Sequence, residues 1–272
     1  MGLAPYGKPI YANLIKEKLI AVAEDGSFQL DMSYFDYATG LTMTNKKFNT
    51  LFGGPPRAPE SEITQREMDL AASVQKVTEY IVLKLARGIA KETGERNLCL
   101  AGGVALNCVA NAKLSNFFEK DSIHIHVPQN PGDAGVAVGA AINSLNSINI
   151  TPKSRPLVSL GPIYPAQEID SAVESSPLKV TKPISLVSQL ATSIACGKIC
   201  SIYQLGSEFG PRALGFRSIL ASPFPASMKD TLNLRVKFRE YFRPFAPIVR
   251  EEDVSKYFDI NYFSPYMMHA VR

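Results

Sequence analysis

The 272-residue sequence is informative first through what it lacks. It has no run of about 18 apolar residues, so no membrane span is expected. The opening Met1-Gly2-Leu3-Ala4-Pro5-Tyr6-Gly7-Lys8-Pro9 has no charged-then-apolar leader pattern. Tyr6 stands where a myristoylation signal needs Ser or Thr. Internal repeats and low-complexity tracts are absent. The four cysteines form no C-x-x-C pair, since three residues separate Cys196 from Cys200. A reduced, cytoplasmic protein is therefore expected, with Cys99 and Cys108 buried as small hydrophobes. Among the three histidines no H-x-x-x-H pair exists. His124 and His126 share one face if their segment is extended, where they either chelate or face solvent.

The composition that is present, 46% hydrophobic and 20% charged, suits a globular protein with a real core and rules against a disordered tail. The length fits one large domain or two ordinary ones. The overall charge of +4 is unevenly placed. Residues 1–147 are close to neutral, whereas 148–272 carry 15 basic and 10 acidic side chains. Arg212, Arg217, Lys229, Arg235, Lys237, Arg239 and Arg243 crowd one window against only Asp230 and Glu240. A basic cluster inside a folded, aromatic-containing segment points to an anion site, for small phosphates or for nucleic acid.

Along the chain, residues 1–60 read as irregular, with a strand-like Phe28-Gln29-Leu30 and a Pro-rich loop at 53–59. Leu70, Val74, Val77, Ile81, Leu85 and Ile89 then mark one helical face, opened by a Thr64/Glu67 capping box and closed by Gly94. Asn97–Ala101 reads as a strand, Gly102-Gly103 as a turn, and 104–114 as a helix. A second strand covers 123–127, followed by Pro128-Gln129-Asn130-Pro131-Gly132-Asp133 and a small-residue helix over 134–146. Strands alternating with helices imply an α/β architecture. The polar, Pro-rich 148–165 reads as a linker between two domains, 1–147 and 166–272. Helices are expected at 166–175 and 184–195, and a strand at 198–204.

Four groups of residues offer chemistry. Gly102 and Gly103, between a strand and a helix, let a ligand approach the backbone, or simply make a turn; Asn107 can hydrogen-bond a ribose, base or phosphate. Asp133, at a helix start, is either an N-cap or a metal ligand. Gln75 and Glu79 lie one turn apart, either as a supporting pair or as catalytic groups. In the segment 208–220, Gly210-Pro211 and Gly215 fix turns on both sides of Arg212 and so aim its guanidinium. Lys229, Asn233 and Lys237, spaced by four, line up if helical, as a phosphate-reading row or as a solvated basic face. The aromatics Phe238, Tyr241, Phe242 and Phe245 match no RNA-binding motif, so nucleic acid is the less favoured partner.

Five motifs in order carry a resemblance: Met1–Gly7, Ala101–Asn107, Asn130–Gly135, Phe209–Gly215 and Arg243–Pro247. The chain resembles, over essentially its whole length, the O-carbamoyltransferases of the NodU/CmcH type, which include antibiotic-tailoring enzymes such as the tobramycin carbamoyltransferase. The resemblance implies an α/β fold in two parts. Residues 1–147 would be the C-terminal part of an actin/hexokinase-like (ASKHA) domain similar to the tRNA threonylcarbamoyl transferases. Residues 166–272 would be the start of a YrdC-like domain. It also implies that carbamoyl phosphate and ATP give carbamoyl-adenylate, whose carbamoyl group passes to a hydroxyl of a natural product or sugar, helped by Fe2+ or a similar divalent metal together with Mg2+.

Residue by residue, the resemblance implies that Gly102, Gly103 and Asn107 hold the adenylate and that Asp133 ligates metal. It implies that Arg212, Arg217, Lys237 and Arg239 bind carbamoyl phosphate and the ATP phosphates, with Asn233 and Arg243 nearby. The family's first domain begins with a lobe carrying an H-x-x-x-H metal motif, and its second domain extends further. The chain is therefore expected to be partial, with a separately encoded N-terminal lobe as one partner. Two other readings stay open: an ASKHA-type kinase or ATPase, and an inactive remnant or RNA-binding module.

Overall fold

The computed structural model describes residues 1–148, 158–260, 262 and 264–271. Among the described residues it is a mixed α/β chain with three sheets of two strands each. The chain divides into two compact units: Met1–Cys99 with Asn107–His126, and Leu100–Leu106 with Val127–Arg272.

The first unit is organised by α3 (Gln65–Thr93). Its start is the expected capping box: Thr64 N–H donates to Glu67 Oε2 at 2.9 Å and Thr64 Oγ1 donates to the same oxygen at 2.6 Å. Its end is Gly94 at φ 70°, a left-handed cap that glycine adopts without a Cβ clash. Val77 and Ile81 are buried against Ile15 of α1 (Ala12–Lys18), Ile20 of β1 (Ile20–Val22) and Phe52, which follows α2 (Lys46–Leu51). β1 pairs antiparallel with β2 (Phe28–Leu30). The apolar stripe is only partly used, for Val74 and Ile89 are half exposed. The helix instead buries a polar patch, Asp69, Ser73 and Gln75.

That patch explains the first motif. Asp69 Oδ1 accepts from Lys8 N–H at 2.7 Å and Gln65 Nε2 at 2.8 Å, which holds its carboxyl below the usual range. Ser73 Oγ accepts from Tyr11 N–H at 3.0 Å. Gly7 lies so close to α3 that a Cβ there would sit 2.0 Å from the Met68 carbonyl oxygen. The Met1–Gly7 motif thus ends with Gly7 pressed on α3, and the backbone N–H groups of Lys8 and Tyr11 just beyond it are held by the helix.

β3 (Asn97–Cys99) pairs in parallel with β4 (His124–His126) through α4 (Cys108–Phe118), a strand–helix–strand crossover. Leu114 and Phe118 of α4 are buried, and so is Leu98 of β3. His124 and His126 face solvent. Cys99 is exposed and Cys108 only half buried, contrary to the expectation of burial: in β3 only Leu98 points inward. The expected continuous helix over 104–114 is interrupted. Gly103–Leu106 forms a 3-10 turn, and Asn107 then caps a new helix.

The second unit holds α5 (Gly135–Ser147), α6 (Ala166–Glu174), α7 (Leu186–Ala195), and the antiparallel pair β5 (Cys200–Tyr203) and β6 (Arg217–Leu220). Among the described residues α5, α6 and α7 contribute no buried side chain. Residues 149–157 of the expected linker lie outside the described residues. Beyond β6 come α8 (Met228–Thr231) and a π-helical turn, Leu232–Lys237, which stops at Phe238 in the left-handed region (φ 48°).

Candidate functional site

Glycine opens the turn after β3. Gly102 has φ 93° and Gly103 follows; a Cβ on either would meet no atom within 4 Å. The exposed backbone there is free for a ligand to approach. Gly102 N–H donates to the Pro131 carbonyl at 2.7 Å, tying this turn to the Asn130–Gly132 loop. Against the same loop lies Gly210, whose Cβ would fall 3.1 Å from the Gln129 carbonyl oxygen and 3.5 Å from Asn130 Cβ. Gly210 also needs its φ of 132°, so glycine is required twice over.

Two residues on, Arg212 Nη2 donates to the Leu106 carbonyl at 3.3 Å. Its Nε is buried without a hydrogen-bond partner, as are Gln129 Oε1 and Asn130 Nδ2. Buried polar atoms without partners are uncommon and costly, and they mark places where a bound polar group completes the set. The second unit therefore brings together Gly102, Gly103 and Arg212, and adds Asn130, which opens one of the resemblance motifs but was given no role, and Gln129, which carried no sequence signal beyond its position in a Pro-flanked loop.

The loop that carries Arg212 is built on Glu208, a residue given no role from the sequence. Its side chain is fully buried. One carboxylate oxygen accepts from the backbone N–H groups of Leu214 (2.8 Å), Phe216 (2.8 Å) and Arg217 (3.0 Å); the other accepts from Arg217 Nε at 3.2 Å. Burial alone raises a carboxyl pKa. Here the backbone donors of Arg217, Leu214 and Phe216 outweigh it and hold Glu208 down at about 2. An acid placed just before a glycine-flanked arginine turn is the signal that could have found it.

The remaining basic residues form a separate group. Asn233 is fully buried. Its Oδ1 accepts from Arg239 Nε at 2.8 Å, and its Nδ2 donates to the carbonyls of Arg243 at 3.0 Å and Tyr241 at 3.3 Å. Arg239 lies 4.8 Å from the Phe245 ring centre; burial and then the charge of Arg243 lower its pKa. Arg243 pairs with Glu240 at 2.9 Å. Lys237 is exposed. The expected row of Lys229, Asn233 and Lys237 does not form. The π turn departs from 3.6 residues per turn, so Asn233 points into the protein while Lys237 points out. Among the described residues no hydrogen bond or ion pair joins Arg212 or Arg217 to Asn233, Lys237, Arg239 or Arg243.

Asp133 is not a helix cap: α5 is preceded by Ala134, with no side-chain cap bond, and the Asp133 carboxylate is exposed. Among the described residues no group of three or more His, Cys, Asp and Glu side chains comes together as a metal site. Asn107, in the first unit, caps α4 through Ala110 N–H at 3.2 Å and pairs with Gln75, which in turn donates to Glu79 at 2.8 Å. Glu79 pairs with Lys113.

The described residues form a mixed α/β chain in which glycine-opened turns surround one partly buried arginine. The family comparisons say which class of protein shares this sequence. The profile described as Carbamoyltransferase N-terminus matches residues 1–142, and that described as Carbamoyltransferase C-terminus matches 191–272. The chain belongs to the carbamoyltransferase family. It is 46% identical to an uncharacterized protein of Synechocystis sp., over 98% of this chain and 45% of that one. It is 37% identical to the nodulation protein NolNO of Sinorhizobium fredii, over 96% of this chain and 37% of the relative. With the nodulation protein NolO of Bradyrhizobium diazoefficiens it shares 36% identity over 96% of this chain and 46% of the relative. The chain thus spans less than half the length of these curated relatives. No helix among the described residues is long and apolar enough to cross a membrane.

Proposed function

We propose that this chain is the part of a carbamoyltransferase that holds the carbamoyl donor and its activated form. In this reading carbamoyl phosphate, ATP and water yield carbamoyl-adenylate, with phosphate and pyrophosphate leaving. A hydroxyl of a natural product or sugar then takes the carbamoyl group, and AMP leaves. The observation that carries the reading is the junction of the open Gly102-Gly103 backbone, the Asn130–Gly132 loop and Arg212, in a chain of this family. Joining two polyanions requires fixed positive groups that offset their repulsion and the charge that builds at phosphorus. Arg212 supplies such a group in a planar fork that fits two phosphate oxygens.

Arg217 keeps its guanidinium half exposed while Nε is held by Glu208, and Lys237 is exposed; both are available to phosphate oxygens. Arg239 and Arg243 shape the second basic group. The actin/hexokinase-like and YrdC-like halves are the architecture this reading assumes. The test is calorimetric titration of the chain with carbamoyl phosphate and, separately, with ATP. The expected result is binding of both, with carbamoyl phosphate weakened at least tenfold by Arg212→Ala at unchanged melting temperature. Equal affinity in parent and variant overturns the donor role of Arg212.

A further inference from the structure

The chemistry proposed for Arg212 requires a guanidinium that stays put, yet Arg212 sits at the tip of an irregular segment. What holds that segment is unusual. Between the end of β5 at Tyr203 and the start of β6 at Arg217 the chain makes no regular structure, and its three glycines and one leucine are placed by turns: Gly206 against Gly161, Gly210 against Gln129, and Gly215 and Leu205 at positive φ. Polar bonds tie it down, and the largest set of them converges on one buried carboxylate.

Glu208 is anchored from outside the loop: it bridges Ser159 in antiparallel fashion, and the next residue, Phe209, donates its N–H to the Val158 carbonyl at 2.9 Å. From that fixed point the carboxylate gathers the N–H groups of Leu214, Phe216 and Arg217. The segment 209–213 is thereby closed into a ring over a single side chain. Its outer wall is Gly210 against Gln129 and Asn130, and its tip is Arg212, with Nη2 on the Leu106 carbonyl and Nε buried and unpartnered.

We propose that Glu208 is the positioning residue for Arg212, setting the loop so that the arginine Nε–H is directed at the oxyanion of the bound donor. The proposal rests on the donor-binding reading of Arg212 given above. Glu208 touches no substrate itself; it acts through backbone donors. A carboxylate suits this role because it accepts several N–H groups at once, where a neutral amide offers one oxygen and adds a donor that the buried cluster has no acceptor for.

The test is NMR of the 272-residue chain with arginine side chains labelled. In the parent the Arg212 Nε–H is expected to give a single, shifted resonance that exchanges slowly with water. The amides of Leu214, Phe216 and Arg217 are expected to be protected like those of β5 and β6. In Glu208→Gln, with the amides of β5 and β6 still protected, the Arg212 resonance is expected to move to the solvent-averaged position, and carbamoyl phosphate affinity to fall about tenfold. An Arg212 Nε–H unchanged in Glu208→Gln overturns the proposal. So do loop amides that exchange at unstructured rates in the parent, a measurement that needs no variant to fold. If Glu208→Gln frees Arg212 while Arg212→Ala leaves carbamoyl phosphate binding intact, positioning stands and the donor-binding reading fails.

Discussion

Gln75 and Asn107 exchange two side-chain hydrogen bonds: Asn107 Nδ2 donates to Gln75 Oε1 at 2.9 Å, and Gln75 Nε2 donates to Asn107 Oδ1 at 3.2 Å. The same Asn107 oxygen caps α4. Asn107→Ala removes the cap and leaves the amide of a buried glutamine short of partners, a loss of about 1–3 kcal/mol. Asn107→Asp keeps the cap and the bond from Gln75 Nε2, and should lose about half as much. Urea melts of the three proteins check the order. A stability loss with unchanged ATP affinity would make Asn107 a structural residue only.

The glycines separate into those the fold needs and those a ligand needs. Gly7→Ala forces a Cβ against backbone of α3, so it should destabilise the first unit by roughly 2 kcal/mol or more, as overpacking does. Gly103→Ala meets open space at an ordinary φ, so its melting temperature should match the parent. If the backbone at 102–103 receives the adenylate, Gly103→Ala should still weaken ATP binding. Thermal melts paired with calorimetry decide both.

Glu208 also makes a pH prediction. Its folded pKa of about 2 lies below the ordinary value near 4.5, so the folded state binds the proton less readily than the unfolded chain. Its contribution is complete above the unfolded pKa and is lost as pH falls through the folded one, between about 4.5 and 2. The contribution is at most about 3 kcal/mol, and nearer 2 once solvent screening around this exposed loop is allowed for. Denaturant midpoints of parent and Glu208→Gln should converge across that window and stay apart above pH 5.

Asn233 tests the second basic group. Asn233→Ala leaves Arg239 Nε and two carbonyls without their partner inside a closed turn, a cost of about 1–3 kcal/mol. Asn233→Asp offers a charged acceptor to Arg239 but loses both donations, so it should recover only part. Chemical denaturation of the two variants measures this directly.

Local signals were legible in the sequence where one segment decides its own conformation. The capping box and Gly94 bound α3 without help, and the Leu98 and Ile125 strands stand where their apolar runs place them. Gly210 and Gly215, legible as turn residues on both sides of Arg212, both take positive φ. What was not legible depended on distant partners. Asn107 caps α4 with its side chain held by Gln75, 32 residues earlier. Asn233 points inward because a π turn, which leaves no periodicity in the sequence, shifts the face. Cys99 is exposed because a three-residue strand buries only its central side chain. Glu208 resembled any surface acid until the loop closed over it.

The central claim is that the Arg212 loop serves carbamoyl activation. The most direct test is pyrophosphate release from ATP with and without carbamoyl phosphate, in the parent and in Arg212→Ala, using the chain together with the segments its longer relatives carry. The account predicts release that requires carbamoyl phosphate and falls about a hundredfold or more in Arg212→Ala. Release that is indifferent to carbamoyl phosphate, or unchanged in Arg212→Ala, would contradict it.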